Sequence, residues 1–161
     1  MLCLSVYVHS QEWTNVEITA GYGFYESVYA GFTCNNKENR HKAGISVGFD
    51  NYLRADGTYF AITTEYDISV LRQRMHKEHY KWFIDGKALF WHLTDDYYNW
   101  DVLSLSPSLQ RVFYLTDKLS LCIDAGPMFN VILHFKRKTY REIGWPYHVM
   151  PNVRIQLNYR F

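Results

Sequence analysis

Apolar and polar side chains alternate at period two along most of this chain, and the pattern is clearest over residues 149–161. One parity there carries Val149, Pro151, Val153, Ile155, Leu157, Tyr159 and Phe161, and the other carries Met150, Asn152, Arg154, Gln156, Asn158 and Arg160. Successive side chains of a β-strand point to opposite faces of its sheet. This stretch is therefore predicted to be a strand with one apolar face and one polar face.

Seven earlier segments show the same alternation. They span residues 15–25, 28–35, 42–53, 58–73, 80–93, 101–115 and 119–133. None of the segments is periodic at 3.6, so we expect an all-β protein. About eight antiparallel strands joined in sequence form a closed up-and-down barrel, in which closure satisfies every backbone group. Residues 11–161 are predicted to be one such barrel domain.

The sixth segment differs from the others because its apolar parity changes along its length. Leu103, Leu105 and Leu109 share one parity, whereas Val112 and Tyr114 lie on the other. A β-bulge inserts one extra residue and reverses the parity, and proline is tolerated at such a position. The sequence therefore predicts a bulge near residue 107.

Composition narrows the classes of protein that fit. Of the 161 residues 18% are aromatic, while the mean hydropathy is only -0.29. Alternating strands produce this combination, and aromatic girdles flank the apolar band of membrane barrels. No apolar run reaches the roughly 18 residues that a transmembrane helix needs. A net charge of +1 gives no electrostatic footprint for nucleic acid, which we do not expect as a partner.

Residues 1–10 form a short apolar run that ends in small and polar residues. It has the features of the last part of a secretory signal peptide cleaved after Ser10, but it lacks a basic start. A first strand is the alternative. Cys34 lies on the outward parity and Cys122 on the inward parity, so no disulfide is expected between them.

Two stretches resemble known outer-membrane proteins. The closing strand, with Tyr159 followed by Phe161, resembles the C-terminal strand of bacterial outer-membrane β-barrels. Residues 107–127, with the turn Tyr-Leu-Thr-Asp-Lys at 114–118, resemble a hairpin of the small outer-membrane barrels of Bacteroides-type bacteria, of the OmpA-like or porin-family kind. Residues 71–100 match no pattern of that family.

The resemblance implies a transmembrane barrel in the bacterial outer membrane. It also implies an assembly signal at Leu157, Tyr159 and Phe161 that the barrel-assembly machinery recognises, and outer-membrane lipid as a partner. Counting back from a periplasmic C-terminus, the connections at 35–40, 74–79 and 116–118 are expected to be periplasmic. Those at 26–27, 55–57, 94–100 and 134–148 are expected to be extracellular.

The polar parity of the strands carries charges of both signs. The expected lumen network comprises Glu17, Glu65, Asp67, Asp85, Lys87, Asp124, Arg154 and Arg160, with Lys42 and Asp50 on the same parity. An eight-stranded barrel is just wide enough to be filled by side chains, and buried charges need partners. We therefore expect a plugged polar lumen and no pore.

A lipid-modifying enzyme is an alternative, because some small outer-membrane barrels transfer or remove acyl chains. Such chemistry needs a nucleophile, a base within hydrogen-bonding reach and an orienting acid. The candidates at the outer rim are three histidines, with two serines and an aspartate in the same layer: His92, His134, His148, Ser104, Ser106 and Asp95. No spacing links them, and rim histidines also occur as simple girdle residues.

Two polar segments are candidate ligand sites. His76 and His79 flank Glu78, but so short a spacing in a turn favours a solvated loop, and we expect neither a metal nor a cofactor. The basic residues Lys136, Arg137, Lys138 and Arg141 fit the phosphates of lipopolysaccharide. A solvated loop explains them equally well.

A soluble barrel of the lipocalin or avidin type is the third alternative. That fold places apolar side chains in the lumen and polar ones outside, and alternation alone fits both arrangements. The terminal Phe161, the aromatic content, and glycine together with charge on the polar face favour the membrane. Fold does not define function, so the sequence predicts a structural or surface-interaction role without a specific task.

Overall fold

The computed structural model describes residues 13–36, 40–50, 57–71, 82–94, 96, 98–138 and 148–161. They form eight strands: β1 Trp13–Gly23, β2 Ser27–Asn36, β3 His41–Asp50, β4 Thr58–Leu71, β5 Trp82–Thr94, β6 Tyr98–Tyr114, β7 Leu119–Arg137 and β8 Val149–Arg160. Each strand pairs with the next, and the sheet closes into a barrel. The prediction of an all-β, closed, antiparallel up-and-down barrel of eight strands is confirmed. None of these residues belongs to a helix long and apolar enough to cross a membrane.

Closure occurs between the first strand and the last. Glu17 of β1 lies opposite Arg160 of β8, and Gly23 lies opposite Arg154. Because β1 and β8 bond each other, neither leaves a free edge that could pair with another chain. The same pairing brings the two arginines of the closing strand to the inner wall next to β1.

The connections lie at two opposite ends of the barrel. We call the end at which β1 begins and β8 ends the near end, and the opposite end the far end. The strand order places the connections 37–40, 72–81 and 115–118 at the near end, and 24–26, 51–57, 95–97 and 138–148 at the far end. By this strand order, the connections predicted to be periplasmic belong to one end of the barrel and those predicted to be extracellular belong to the other. Residues 55 and 56 of the predicted tight hairpin lie outside the described residues, as do residues 1–10.

Hydrogen bonds from side chains close two near-end turns. Asn36 Oδ1 accepts bonds from the backbone N–H groups of Arg40 (2.8 Å) and His41 (3.1 Å). Thr116 Oγ1 accepts from the backbone N–H groups of Lys118 (3.2 Å) and Leu119 (2.9 Å). Asn and Thr favour turns because their short side chains can bond the local backbone in this way.

Strands β6 and β7 extend further toward the far end than the sequence indicated. The predicted loop at 94–100 was too long, since β6 begins at Tyr98, and β7 continues past residue 133 to Arg137. The cause is aromatic packing inside the barrel, where the Trp100 and Phe135 ring centroids lie 4.6 Å apart. Trp100 is therefore a lumen residue, and it is only 4% exposed.

The predicted bulge near Pro107 was wrong. Leu105 lies opposite Phe129 and Leu109 lies opposite Ala125, so the register of β6 against β7 is the same on both sides of Pro107. Pairing with β5 is also continuous there. Pro107 lacks a backbone N–H donor, but it adds no extra residue to β6.

The change of apolar parity in β6 instead reflects the interior of the barrel. Val112 is fully buried on the inner wall, where it packs with Phe83 and Cys122. An apolar side chain on the polar parity therefore marks a local apolar patch in the lumen. The actual register shift between β6 and β7 lies between Asp101 and Val102.

The two faces of the sheet differ sharply. Every strand exposes large apolar side chains on its outer face; Phe32 is 57% exposed and Ile155 is 49% exposed. We call this surface the outer belt, and it includes Ile18, Phe32, Ile45, Ile62, Ile84, Leu105, Val131 and Ile155. Continuous apolar surface of this extent is unusual for a protein that faces water on all sides.

The two cysteines in the described part of the chain are both free thiols. Cys34 lies opposite Val16 and Ala43 on the outer parity, and Cys122 is buried in the lumen. The side chains therefore lie on opposite faces of the sheet.

Candidate functional site in the barrel interior

Arg154 lies at the centre of the interior. It extends from the middle of β8, and its side chain is fully buried. Its Nε lies 2.9 Å from Asp124 Oδ2, and its Nη2 lies 2.5 Å from Glu65 Oε2 and 3.5 Å from Asp85 Oδ2. One guanidinium thus links β4, β5, β7 and β8 across the lumen.

Lys87 provides a second buried cation. Its Nζ lies 2.7 Å from Asp85 Oδ2, forms an ion pair with Asp124 Oδ1, and donates to Ser108 Oγ at 3.1 Å. Asp85 and Asp124 therefore each contact both cations. We call Glu65, Asp85, Lys87, Asp124 and Arg154 the central network. Charges buried this deeply are tolerated only because they are paired and hydrogen-bonded.

Two further cations lie toward the near end. Arg160 bonds Glu17 Oε1 through Nη2 at 2.7 Å and through Nε at 3.0 Å, and its side chain is 21% exposed. Lys42 is buried, with Nζ 4.8 Å from the Phe83 ring centroid. The interior is therefore charged from its centre to this end.

Glu26 is an interior residue that the sequence did not reveal. It belongs to the β1–β2 turn, yet it is 1% exposed, and its Oε1 lies 3.8 Å from Arg154 Nη1. Ser27 next to it has a φ of 56°, a strained value for a residue with a side chain. The turn therefore folds Glu26 inward. Burial raises the pKa of the Glu26 carboxyl, and the nearby Arg154 opposes that rise.

Glycines on the inner wall make room for this turn. A Cβ at Gly23 would clash with the Glu26 carboxylate, and a Cβ at Gly48 would clash with the Glu26 backbone carbonyl. A Cβ at Gly21 would lie too close to the Tyr29 ring, whose hydroxyl donates to Gln156 Oε1 at 3.0 Å. The glycines among the polar residues were the one available signal that something bulky lies against this wall.

A large apolar cluster occupies part of the far half of the interior. A buried cluster, which we call the far-end cluster, comprises Ala61, Leu89, Trp91, Leu93, Trp100, Val102 and Met128, with Tyr25, Tyr59, Tyr98, Ile132 and Phe135 packed against it. Trp91 Nε1 donates to Ser104 Oγ at 3.1 Å, and Ser104 donates to Asn130 Oδ1 at 2.6 Å. Ion pairs thus occupy the centre of the lumen, the near end combines charged side chains with the apolar patch of Phe83, Val112 and Cys122, and packed rings lie toward the far end.

All eight residues of the predicted lumen network lie on the inner wall. Seven of them take part directly in ion pairs: Glu65, Asp85, Lys87, Asp124 and Arg154 in the central network, and Glu17 with Arg160 at the near end. Asp67 is also buried, opposite Asp85 in the β4–β5 register. The sequence therefore located this set through strand parity alone.

The three candidate histidines lie apart from the candidate serines. His92 Nδ1 lies 2.6 Å from Asp101 Oδ1, the His92 ring stacks on Phe60 at 5.3 Å between centroids, and His134 lies opposite Asp101. These residues belong to the outer face near the far end.

Ser104 and Ser106 are buried on the inner wall, on the other side of the sheet. His148 begins the approach to β8, where its carbonyl accepts from the Asn130 backbone N–H. Asp95 lies outside the described residues. Within the described ranges no serine or threonine hydroxyl bonds His92, so the predicted nucleophile and base are not brought together.

The basic segment at the end of β7 is divided between two faces. Lys136 lies opposite Asn99, on the outer parity that also carries His134, whereas Arg137 lies opposite Tyr98 on the inner parity. Lys138 Nζ donates to Thr94 Oγ1 at 3.2 Å. All three basic side chains are exposed, and Arg141 lies outside the described residues.

The residues of the expected assembly signal all point outward. Leu157, Tyr159 and Phe161 are exposed, and the Tyr159 and Phe161 rings meet edge to face at 5.6 Å.

No three histidine, cysteine or acidic side chains in the described ranges are arranged to hold a metal ion. His76 and His79 lie outside those ranges. No protein-family model, curated protein or solved structure matches this chain.

Proposed function

We propose that this protein is a small integral β-barrel of the bacterial outer membrane, with a plugged lumen and a structural or surface-interaction role. The outer belt is the observation that carries the proposal. It presents large apolar side chains on all eight strands, as a lipid-facing surface must. A soluble barrel would bury such side chains in its lumen, where this chain instead holds the five ionisable groups of the central network, three carboxylates with Arg154 and Lys87.

The interior supports a role other than transport of solutes. The central network fills the middle of the lumen with side chains in direct contact, and the far-end cluster adds packed indole and phenol rings. Passage of a solute would require ion pairs to separate in a dry environment, at a cost of several kcal/mol per uncompensated charge. We therefore propose that the barrel acts through its outer surface and its connections.

Cell fractionation tests the location. The protein is expected in the outer-membrane fraction, to need detergent for extraction, and to migrate differently on a gel before and after heating. A Phe161→Glu variant is expected to accumulate less there, because Phe161 is proposed to contact the barrel-assembly machinery. Recovery of the folded wild-type protein in a detergent-free soluble fraction would contradict the proposal.

We further propose that the outward-facing end of β7 contacts lipopolysaccharide phosphates. Lys136 and His134 share the outer parity with Asp101 and Asn99, and they lie further toward the far end of β7 than Val131 of the outer belt. A cation at this level would lie where anionic headgroups meet the apolar layer. Charged contacts between ammonium groups and phosphate are strong hydrogen bonds.

Replacing Lys136 and Lys138 together by glutamine is expected to weaken lipopolysaccharide binding by about thirtyfold, since each cation near an anionic surface contributes about 1 kcal/mol and about 1.4 kcal/mol is a factor of ten. Binding to the detergent-solubilised protein measures this. Arg137→Gln is the matched control, because Arg137 lies on the inner parity and its loss should matter less. Equal binding by all three proteins would contradict this contact.

A further inference from the structure

Two acidic side chains meet inside the barrel. Asp67 of β4 lies directly opposite Asp85 of β5, and the two residues are 2% and 0% exposed, so both carboxyl groups are buried side by side on the inner wall. An ionised carboxylate can only accept hydrogen bonds. Two ionised carboxylates at this separation would repel each other without any bond between them. The contact is favourable only if one of the two carries a proton.

The surroundings of the two carboxyls are unequal. Asp85 Oδ2 lies 2.7 Å from Lys87 Nζ and 3.5 Å from Arg154 Nη2, and it accepts from Ser108 Oγ at 3.2 Å. Asp67 has Lys42 opposite it in β3, but Lys42 also interacts with Glu17. Cations and a donor thus stabilise the ionised form of Asp85. Asp67 is therefore the group that retains the proton.

Unpartnered amides flank this pair. Asn35 and Gln110 are at most 1% exposed, and neither amide group has a hydrogen-bond partner among the described residues. Asn35 lies opposite Lys42, and Gln110 lies opposite Asp124. Buried amides of this kind are normally satisfied by ordered water. Water at these positions would let protons exchange between the pair and the near end.

We propose that Asp67 and Asp85 form a buried proton-binding site that holds one proton between β4 and β5 at neutral pH. The proton comes from water and returns to water, leaving two facing carboxylates. Among the described residues, the titratable and charged groups that face the site are Glu17 from β1, Lys42 from β3, Glu65 from β4, Lys87 from β5, Tyr114 from β6, Cys122 and Asp124 from β7, and Arg154 from β8. Loss of the proton would push β4 and β5 apart next to the central network.

Infrared spectroscopy of the folded full chain tests the site directly. The wild-type protein at neutral pH is expected to show the carbonyl stretch of a protonated carboxylic acid, and Asp67→Asn is expected to lose part of that band. Asp124→Asn is the matched control, because Asp124 is paired with two cations and its replacement should leave the band unchanged. An unchanged band in Asp67→Asn would overturn the proposal. Asp85→Asn serves the same purpose if Asp67→Asn does not fold.

The pH dependence of unfolding gives an independent result. An unfolded aspartate has a pKa near 3.9, so at neutral pH the folded chain holds this proton and the unfolded chain does not. Stability falls with rising pH wherever the folded state binds more protons. As the pH rises, the denaturation midpoint of the wild-type protein should therefore fall relative to that of Asp67→Asn. The difference between the two slopes should correspond to one bound proton. Parallel pH profiles would overturn the proposal, whether or not the barrel lies in a membrane.

Discussion

Replacing Arg154 by leucine is expected to lower the free energy of unfolding by about 3 to 5 kcal/mol, the usual loss when one partner of a buried ion pair is removed. The guanidinium contacts Glu65, Asp85 and Asp124 at once. Leucine would leave these carboxylates with Lys87 as the remaining cation of the central network. Denaturant unfolding of the refolded barrel measures the loss.

Arg160→Leu is the matched control. Arg160 belongs to the same strand and pairs with Glu17, but its side chain is 21% exposed, so water can replace part of the lost interaction. Its replacement should cost clearly less, as for other solvent-accessible ion pairs. Equal losses for the two variants would mean that the central network does not hold the strands together.

The same network predicts the electrical behaviour of the barrel. Planar bilayers containing the wild-type protein should show no large steady conductance, because Arg154 and its partners occupy the centre of the lumen. A porin-like current would show that the interior is not plugged.

Strand parity explains how much of this architecture the sequence could predict. A strand has a side-chain period of two, so one apolar residue such as Ile155 determines that Arg154 and Gln156 point the other way. Eight such segments separated by turn residues leave few topologies other than a closed barrel. The positions of the buried charges followed from the same rule.

Other features depend on information that parity does not contain. Whether a turn folds over the barrel or into it depends on the space available inside. Gly23 and Gly48 leave that space for Glu26, because a Cβ at either position would clash with it. Parity does not predict such a contact. The pairing of His92 with Asp101 depends on the register of the β5–β6 hairpin. Parity predicts the face on which each of the two side chains lies, but it does not predict which residue of β6 lies opposite His92.

Replacing Ile155 by arginine is expected to cost about 2 to 4 kcal/mol if the outer belt faces lipid, the loss found for a basic residue near the bilayer midplane. Ile155 lies in the middle of β8, opposite Ile123 and Tyr22, and it is 49% exposed. In water an exposed isoleucine can be replaced at a cost of at most about 0.5 kcal/mol. The size of the loss therefore distinguishes lipid from water as the solvent of this face.

Val149 provides the control within the same strand. It is 56% exposed on the same face but lies at the far-end start of β8, where a basic residue would sit at the membrane interface. Val149→Arg should therefore cost only about 0 to 1 kcal/mol.

Denaturant unfolding of the wild-type protein and these two variants in lipid vesicles tests the central claim most directly. The proposal predicts that the wild-type protein folds when lipid or detergent is present, that Ile155→Arg loses about 2 to 4 kcal/mol, and that Val149→Arg loses about 0 to 1 kcal/mol. A wild-type barrel that folds as a monomer in buffer alone, with both variants equally stable, would contradict it.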